Sequence, residues 1–378
     1  MQPSSLQRPT WAEINLDNLA FNLRSARGFI GNEVECMAVV KADAYGHGAV
    51  ECARRLEVEG TEWFAVATVE EGIELRSAGI QKPILVLGGF GDAQTGLLID
   101  HCLTPTIFTV NQAESLNAAA VKRNSRLNIH VKLDSGMGRV GFRTDEAAEV
   151  AATLRRFLNL NIEGLMTHFA VADDLDQIAF TNLQIERFDA AVQIFRSNGF
   201  APKYIDMANS PAAVAHPRTR SNLVRLGGIL YGLGGDVLPA GIDKPQLRPV
   251  MAVRSRVVQI KNILRGETLG YSRTFTAGRD SLIGTIPIGY HDGLRRSLSN
   301  TGSVLVNGTV TPIVGRVSMD WTTIDLTAIS RPKIGDLVTI IGSDHGVEIK
   351  SEDLARKLGT ISYEITCGIS GRVPRIYR

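Results

Sequence analysis

From about residue 36 to 230, short apolar runs rich in β-branched residues alternate with longer stretches of helical periodicity. The strand-like runs are CMAVVKA (36–42), WFAVAT (63–68), PILVLG (83–88), LTPTIF (103–108), LNIHVKL (127–133), IEGLMTHF (162–169), YIDMAN (204–209) and LVRLGG (223–228). Between them lie EEGIELRSAG, NQAESLNAAAVKR, TDEAAEVAATLRRFL and NLQIERFDAAVQIFRSNG, which read as helices. Asn111, Thr144 and Thr181 stand where N-caps are expected, and Gly79 and Gly199 where helices should stop. Eight strands, each followed by helix, predict a closed parallel (β/α)8 barrel of the TIM type. An open doubly wound sheet is the alternative, and the regularity of the repeats disfavours it.

Beyond about residue 245 the pattern changes to VRSRVVQIKNI, SLIGTIPI, GSVLVNGTVTPIVGRVSMDWTTIDL and DLVTIIG, strand-like runs broken by turns such as Asn307-Gly308. Helical pattern returns briefly at SEDLARKLG. The expectation is a barrel over 12–245 and a mainly β domain over 246–378, with Pro245 and Pro249 flanking the junction.

Composition narrows the class. The 378 residues carry a net charge of +2 and are 44% hydrophobic. No basic stripe suggests nucleic acid, and no apolar run approaches the roughly 20 residues of a membrane span. The opening MQPSSLQRPT lacks the layout of a signal peptide. Cys36, Cys52, Cys102 and Cys367 are scattered without a C-x-x-C pair, as free thiols in a reducing compartment would be. The cytosol is the expected location.

The chemistry should gather where barrel strands end. Lys41 ends an apolar run in VVKADAYGHG, where an unpaired buried charge is costly. Lys132 and Asp134 end the fifth strand, with Arg139 in the loop after it. His168 ends the sixth, Ser210 follows the seventh, and Arg225 and Gly227 end the eighth. Any one of these could be a solvated strand end; together they point to a site. The glycine-rich VRLGGILYGLGGD suits phosphate, since glycines let backbone N–H groups approach an anion. A lysine opposite a phosphate site suits a Schiff base with pyridoxal phosphate. A salt-bridged lysine or a plain phosphate contact is the blander reading. The GGFG at 88–91 does not complete a dinucleotide fingerprint and receives no function. The seven histidines are dispersed without H-x-H or H-E-x-x-H, and no G-x-S-x-G is present, so neither a metal nor a serine nucleophile is expected.

Nine stretches, VVKADAYGHG, HVKLDSGMGRVGF, MTHFA, ANSPA, VRLGGILYG, GETLGYSRTF, GYHDG, GRVSMDW and TISYEITCGISGRVPRIY, resemble the alanine racemase family in order and across the chain. The resemblance implies a pyridoxal 5'-phosphate enzyme that interconverts L- and D-alanine as a head-to-tail homodimer. It implies Lys41 as cofactor anchor and base on one substrate face, and Tyr271, from the partner subunit, as base on the other. Tyr45, Ser210, Gly227, Gly228 and Tyr363 match cofactor and phosphate contacts, and Arg225 the arginine facing the pyridine nitrogen. His168 would link Tyr271 to Arg225. Arg139 and the backbone at Met319 match substrate-carboxylate contacts, with Asp320 beside them, and Tyr290 a tyrosine near the entrance. Lys132 matches a lysine often carbamylated in the family; pairing with Asp134 is its ordinary alternative.

The chain departs from the family's common forms at Ser318, at Gly228 in RLGG and at His291, the last expected on the solvent side. Competing expectations are a racemase of serine, lysine or a broader set of amino acids, a basic amino-acid decarboxylase of similar plan, and a non-catalytic cofactor carrier. The GYSRTF and GRVSMD motifs speak against a carrier, which needs no second base.

Overall fold

The computed structural model describes residues 8–378; the opening MQPSSLQ lies outside the described residues. Eight parallel strands form one curved sheet in the order Leu223–Leu226, Glu35–Val39, Trp63–Val66, Ile84–Val86, Thr104–Ile107, Leu127–Asp134, Leu160–Met166 and Tyr204–Asp206. Arg225 N donates to Ala208 O at 2.9 Å, bringing the last strand back to the seventh and joining the two edges of that sheet. The expected barrel is therefore present. Side chains alternate as a pleat requires. Met37, Val39, Trp63, Ala65, Leu85, Met166, Tyr204 and Leu223 pack together in one interior cluster, whereas Cys36, Ala38, Phe64 and Val66 join the larger helix-covered core.

Local chemistry explains several helix starts, though not always at the expected residue. Thr68 and Glu71 form a capping box at Val69–Ser77. Thr109, not Asn111, caps Val110–Lys122. Thr181 lies buried inside Ile178–Ser197, because Asp174 already caps the 3-10 turn that leads into this helix. Thr144 opens a 3-10 turn ahead of Ala147–Leu154. Gly79 and Gly199 follow their helices with φ of +92° and +85°, the left-handed stop that glycine allows.

The strand Thr10–Ile14 pairs antiparallel with Met251–Arg256 and parallel with Arg375–Tyr377. It thus belongs to the second sheet, although the expected barrel span begins at residue 12. The rest of that region is mainly β, as expected, with a hairpin turning at Asn307-Gly308, both at positive φ. Besides Ser351–Leu358 it holds a second short helix, Ser362–Cys367, which abuts the turn after the first barrel strand.

Candidate active site

The run expected as strand to residue 42 is strand only to Val39. Lys41 instead opens a tight turn in which Ala42, Asp43, Ala44 and Tyr45 all have φ near +53° to +55°. Four consecutive left-handed L-residues cost on the order of 1–2 kcal/mol each. Tertiary contacts hold the turn. Ala42 N donates to Glu71 Oε1 at 2.7 Å, and Ala49 N to Asp43 Oδ1 at 2.7 Å. The Arg375 guanidinium donates twice to Gly46 O, at 3.1 and 3.0 Å. Gly46 is packed so closely against Thr366 that a Cβ would lie 2.2 Å from its carbonyl oxygen. Lys41 has no ion-pair partner among the described residues; burial and then the charge of Arg139 pull its ammonium below the usual lysine range.

Around it the barrel mouth is cationic. Arg225 is buried, with Nη1 paired to Asp206 and Nη2 donating to Thr167 O at 2.8 Å and to His168 Nδ1 at 3.3 Å. Burial, then the charges of Arg225, Lys132 and Arg139, push His168 down to about 2, so its ring is neutral. Lys132 is buried, and burial followed by Arg225 and Arg139 brings it down to about 7. It does not pair with Asp134, whose carboxylate accepts from Gly136 N and Gly138 N in its own loop. A loop rich in orphan N–H groups outcompetes the lysine.

On the other side lies a cradle of hydroxyls and glycines. Gly227 N donates to Ser210 Oγ at 2.9 Å. A Cβ on Gly227 would lie 2.5 Å from Tyr45 Oη, and one on Gly228 2.2 Å from Tyr363 Oη. Burial raises both phenols, which therefore stay protonated donors. The Tyr45 and Tyr363 rings meet edge to face at 5.2 Å. Gly228, where the motif departs from the common form, is thus as tightly placed as Gly227.

The remaining expected residues stand elsewhere. Tyr271 is 70% exposed on the β domain and forms no side-chain hydrogen bond among the described residues, so no bond links it to His168 within one chain. It lines a shallow cleft of about 350 Å³ with Arg316, Ser318 and Trp321. Met319, Trp321 and Tyr290 are exposed too. Tyr290 N donates to Ser318 O and His291 N to Met319 O, while Asp320 pairs with Arg372 at 2.8 Å. His291 faces solvent, as expected. Sequence reasoning missed Glu71, Arg375 and Asp206. Asp206 carried a readable signal, a charge closing the apolar YID strand, the same sign that singled out Lys41.

Two family descriptions match the chain: alanine racemase, N-terminal domain, over residues 14–234, and alanine racemase, C-terminal domain, over residues 250–377. The alanine racemase of Geobacter sulfurreducens is 43% identical over 375 residues, covering 98% of this chain and 97% of the relative. The solved alanine racemase of Clostridium difficile 630 superposes with a TM-score of 0.93 at 37% identity, covering 99% of this chain and 97% of that one. That of Bacillus anthracis with bound L-Ala-P also gives 0.93, at 34% identity, covering 99% and 96%.

Proposed function

This chain belongs to the alanine racemase family, a family of isomerases, and from that premise we propose that it interconverts L- and D-alanine with pyridoxal 5'-phosphate and two bases. The carrying observation is Lys41, unpaired and depressed on a strained turn, beside the Tyr45–Ser210–Gly227–Gly228–Tyr363 cradle.

The residues fit the cofactor. A cradle of hydroxyls and N–H groups without Cβ atoms suits a phosphate. A lysine lowered by burial and by Arg139 suits covalent attachment, which needs the neutral amine. Ser210, Gly227, Gly228, Tyr45 and Tyr363 would hold the phosphate end, Lys41 the aldehyde carbon, and Arg225 the ring nitrogen. When bound, the cofactor supplies the electron sink that acidifies the substrate's α-C–H. The Arg225 guanidinium has donors and no acceptor, so it offers the ring only hydrogen-bond donation, which limits side reactions that need a stronger sink.

Lys41 takes or returns the α-proton on one face, and Tyr271 of the partner subunit on the other. Arg139 and the backbone at Met319 orient the substrate carboxylate, with Asp320 holding the Met319 loop through Arg372. A carbamylated Lys132 would supply the anion that Arg139 lacks. Tyr290 and Tyr363 narrow the site towards a methyl side chain. The exposed Tyr271, Met319 and Trp321 support a head-to-tail homodimer, since a face of large apolar side chains favours burial. Among the described residues no helix is long and apolar enough to cross a membrane. Four free cysteines suit the cytosol, where the product would serve cell-wall peptide synthesis.

The test is incubation with pyridoxal phosphate and L-alanine in D₂O. D-Alanine carrying α-deuterium, lost in Lys41→Ala, is the expected result. Exchange on serine or lysine but not alanine would move the assignment to another racemase. Loss of carboxylate would make it a decarboxylase, and bound cofactor without exchange a carrier.

A further inference from the structure

Asp206 ends the seventh barrel strand with no exposed surface. Asp134 accepts from N–H groups of its own loop, whereas Asp206 is paired with Arg225, and its charge also acts on Lys132. A buried carboxylate beside an arginine commonly takes both arms of the guanidinium fork. Here it takes one: Oδ1 pairs with Nη1, and Oδ2 has no hydrogen-bond partner among the described residues. Leaving a buried oxygen unpaired is costly. What that geometry preserves is the other arm, since Nη2 stays with Thr167 O, Met207 O and His168 Nδ1. A guanidinium can only donate, so His168 Nδ1 must accept and the ring proton sits on Nε2.

We propose that Asp206 is a positioning residue: by holding Nη1 of Arg225 it aims Nη2 at His168 and so selects the His168 tautomer with its proton on Nε2. That consequence is independent of the cofactor; its effect on catalysis rests on the function proposed above. With the tautomer selected, Nδ1 is fully committed to Arg225, and Nε2–H is the group His168 presents away from it. Without the Asp206 anion the guanidinium is a buried cation among cations and turns from that direction.

The experiment uses the full-length holoenzyme labelled with ¹⁵N-histidine, with His168→Gln to assign the signal. Long-range ¹H–¹⁵N spectra report the tautomer directly. The unsubstituted protein should show His168 only as the Nε2–H form. Asp206→Ala should show both tautomers and a kcat lower by about tenfold or more with KM for alanine within about threefold, because substrate contacts lie elsewhere. Asp206→Asn, which keeps an acceptor but not the charge, should fall between. If Asp206→Ala does not fold, Asp206→Asn decides, together with hydrogen exchange of the Arg225 Nη protons in the unsubstituted protein, which should be slow. An unchanged tautomer in the folded variants, or Arg225 protons exchanging at solvent rates, overturns the proposal whatever the rates do. A protein without racemase activity would instead sink the functional reading and leave the tautomer test standing.

Discussion

Gly228 Cα faces Tyr363 so closely that a methyl group on the glycine would lie 2.2 Å from the phenol oxygen. Gly228 begins a 3-10 turn and does not need a positive φ, so alanine there tests space rather than backbone freedom. Gly228→Ala should leave the fold intact, since the displaced group is one ring at the site. It should weaken pyridoxal phosphate binding by about tenfold or more, a loss of about 1.4 kcal/mol. Equilibrium dialysis with the cofactor checks it; unchanged affinity would remove Gly228 from the cradle.

His47 and His130 have no exposed surface, and burial lowers them to about 4 and about 3 from 6.5. His130 lies between Trp63 and Tyr204, with neither ring nitrogen bonded among the described residues. Both are depressed, so the unfolded chain binds their protons first as pH falls. Their contribution is fully present above about 6.5 and is lost below it, down towards the folded values. Between pH 6 and 4 stability should fall by about 1.4 kcal/mol per pH unit for each histidine. Urea melts at stepped pH would show this, and His130→Gln should flatten the slope by its share.

Lys132, lowered to about 7, holds a substantial neutral fraction at physiological pH. A neutral amine adds to CO₂ through nitrogen, releasing one proton and leaving a carbamate anion near Arg139. Incubation with ¹³C-bicarbonate should give a carbamate resonance that Lys132→Ala abolishes. That variant should raise KM for alanine more than it lowers kcat, because Arg139 loses its anchor. A ¹³C spectrum without the resonance would return Lys132 to an ordinary buried lysine.

If Tyr271 serves the partner's site, two inactive variants should repair each other. Lys41→Ala and Tyr271→Phe, unfolded together and refolded as a mixture, form heterodimers with one intact site. Random pairing would give about one quarter of the unsubstituted activity. Complementation near zero, with dimers shown by sedimentation, would place both bases in one subunit.

The strand–helix alternation, the glycine stops and the Asn307-Gly308 hairpin were legible because they depend on neighbours in sequence. So was the gathering of Lys41, His168 and Ser210 just beyond strand ends, and of Arg225 in the last strand, since a polar residue after an apolar run marks the barrel mouth. The left-handed turn after Lys41 was not. Ala42 to Tyr45 includes no glycine or asparagine to favour it, and beside the local Ala49–Asp43 bond the turn is held by Glu71, Arg375 and Thr366, distant in sequence. Asp206 closes an apolar run legibly, but its partner Arg225 is set only when the barrel closes and buries the two together. Thr10–Ile14 joins the second sheet because its hydrogen-bond partners are residues 251–255 and 375–377. The sequence by itself determined the periodicities, turns and reactive side chains, all set by local sterics and polarity. Tertiary structure alone decided strain and charge pairing, because each is set by groups far apart along the chain and brought together in an interior without bulk water.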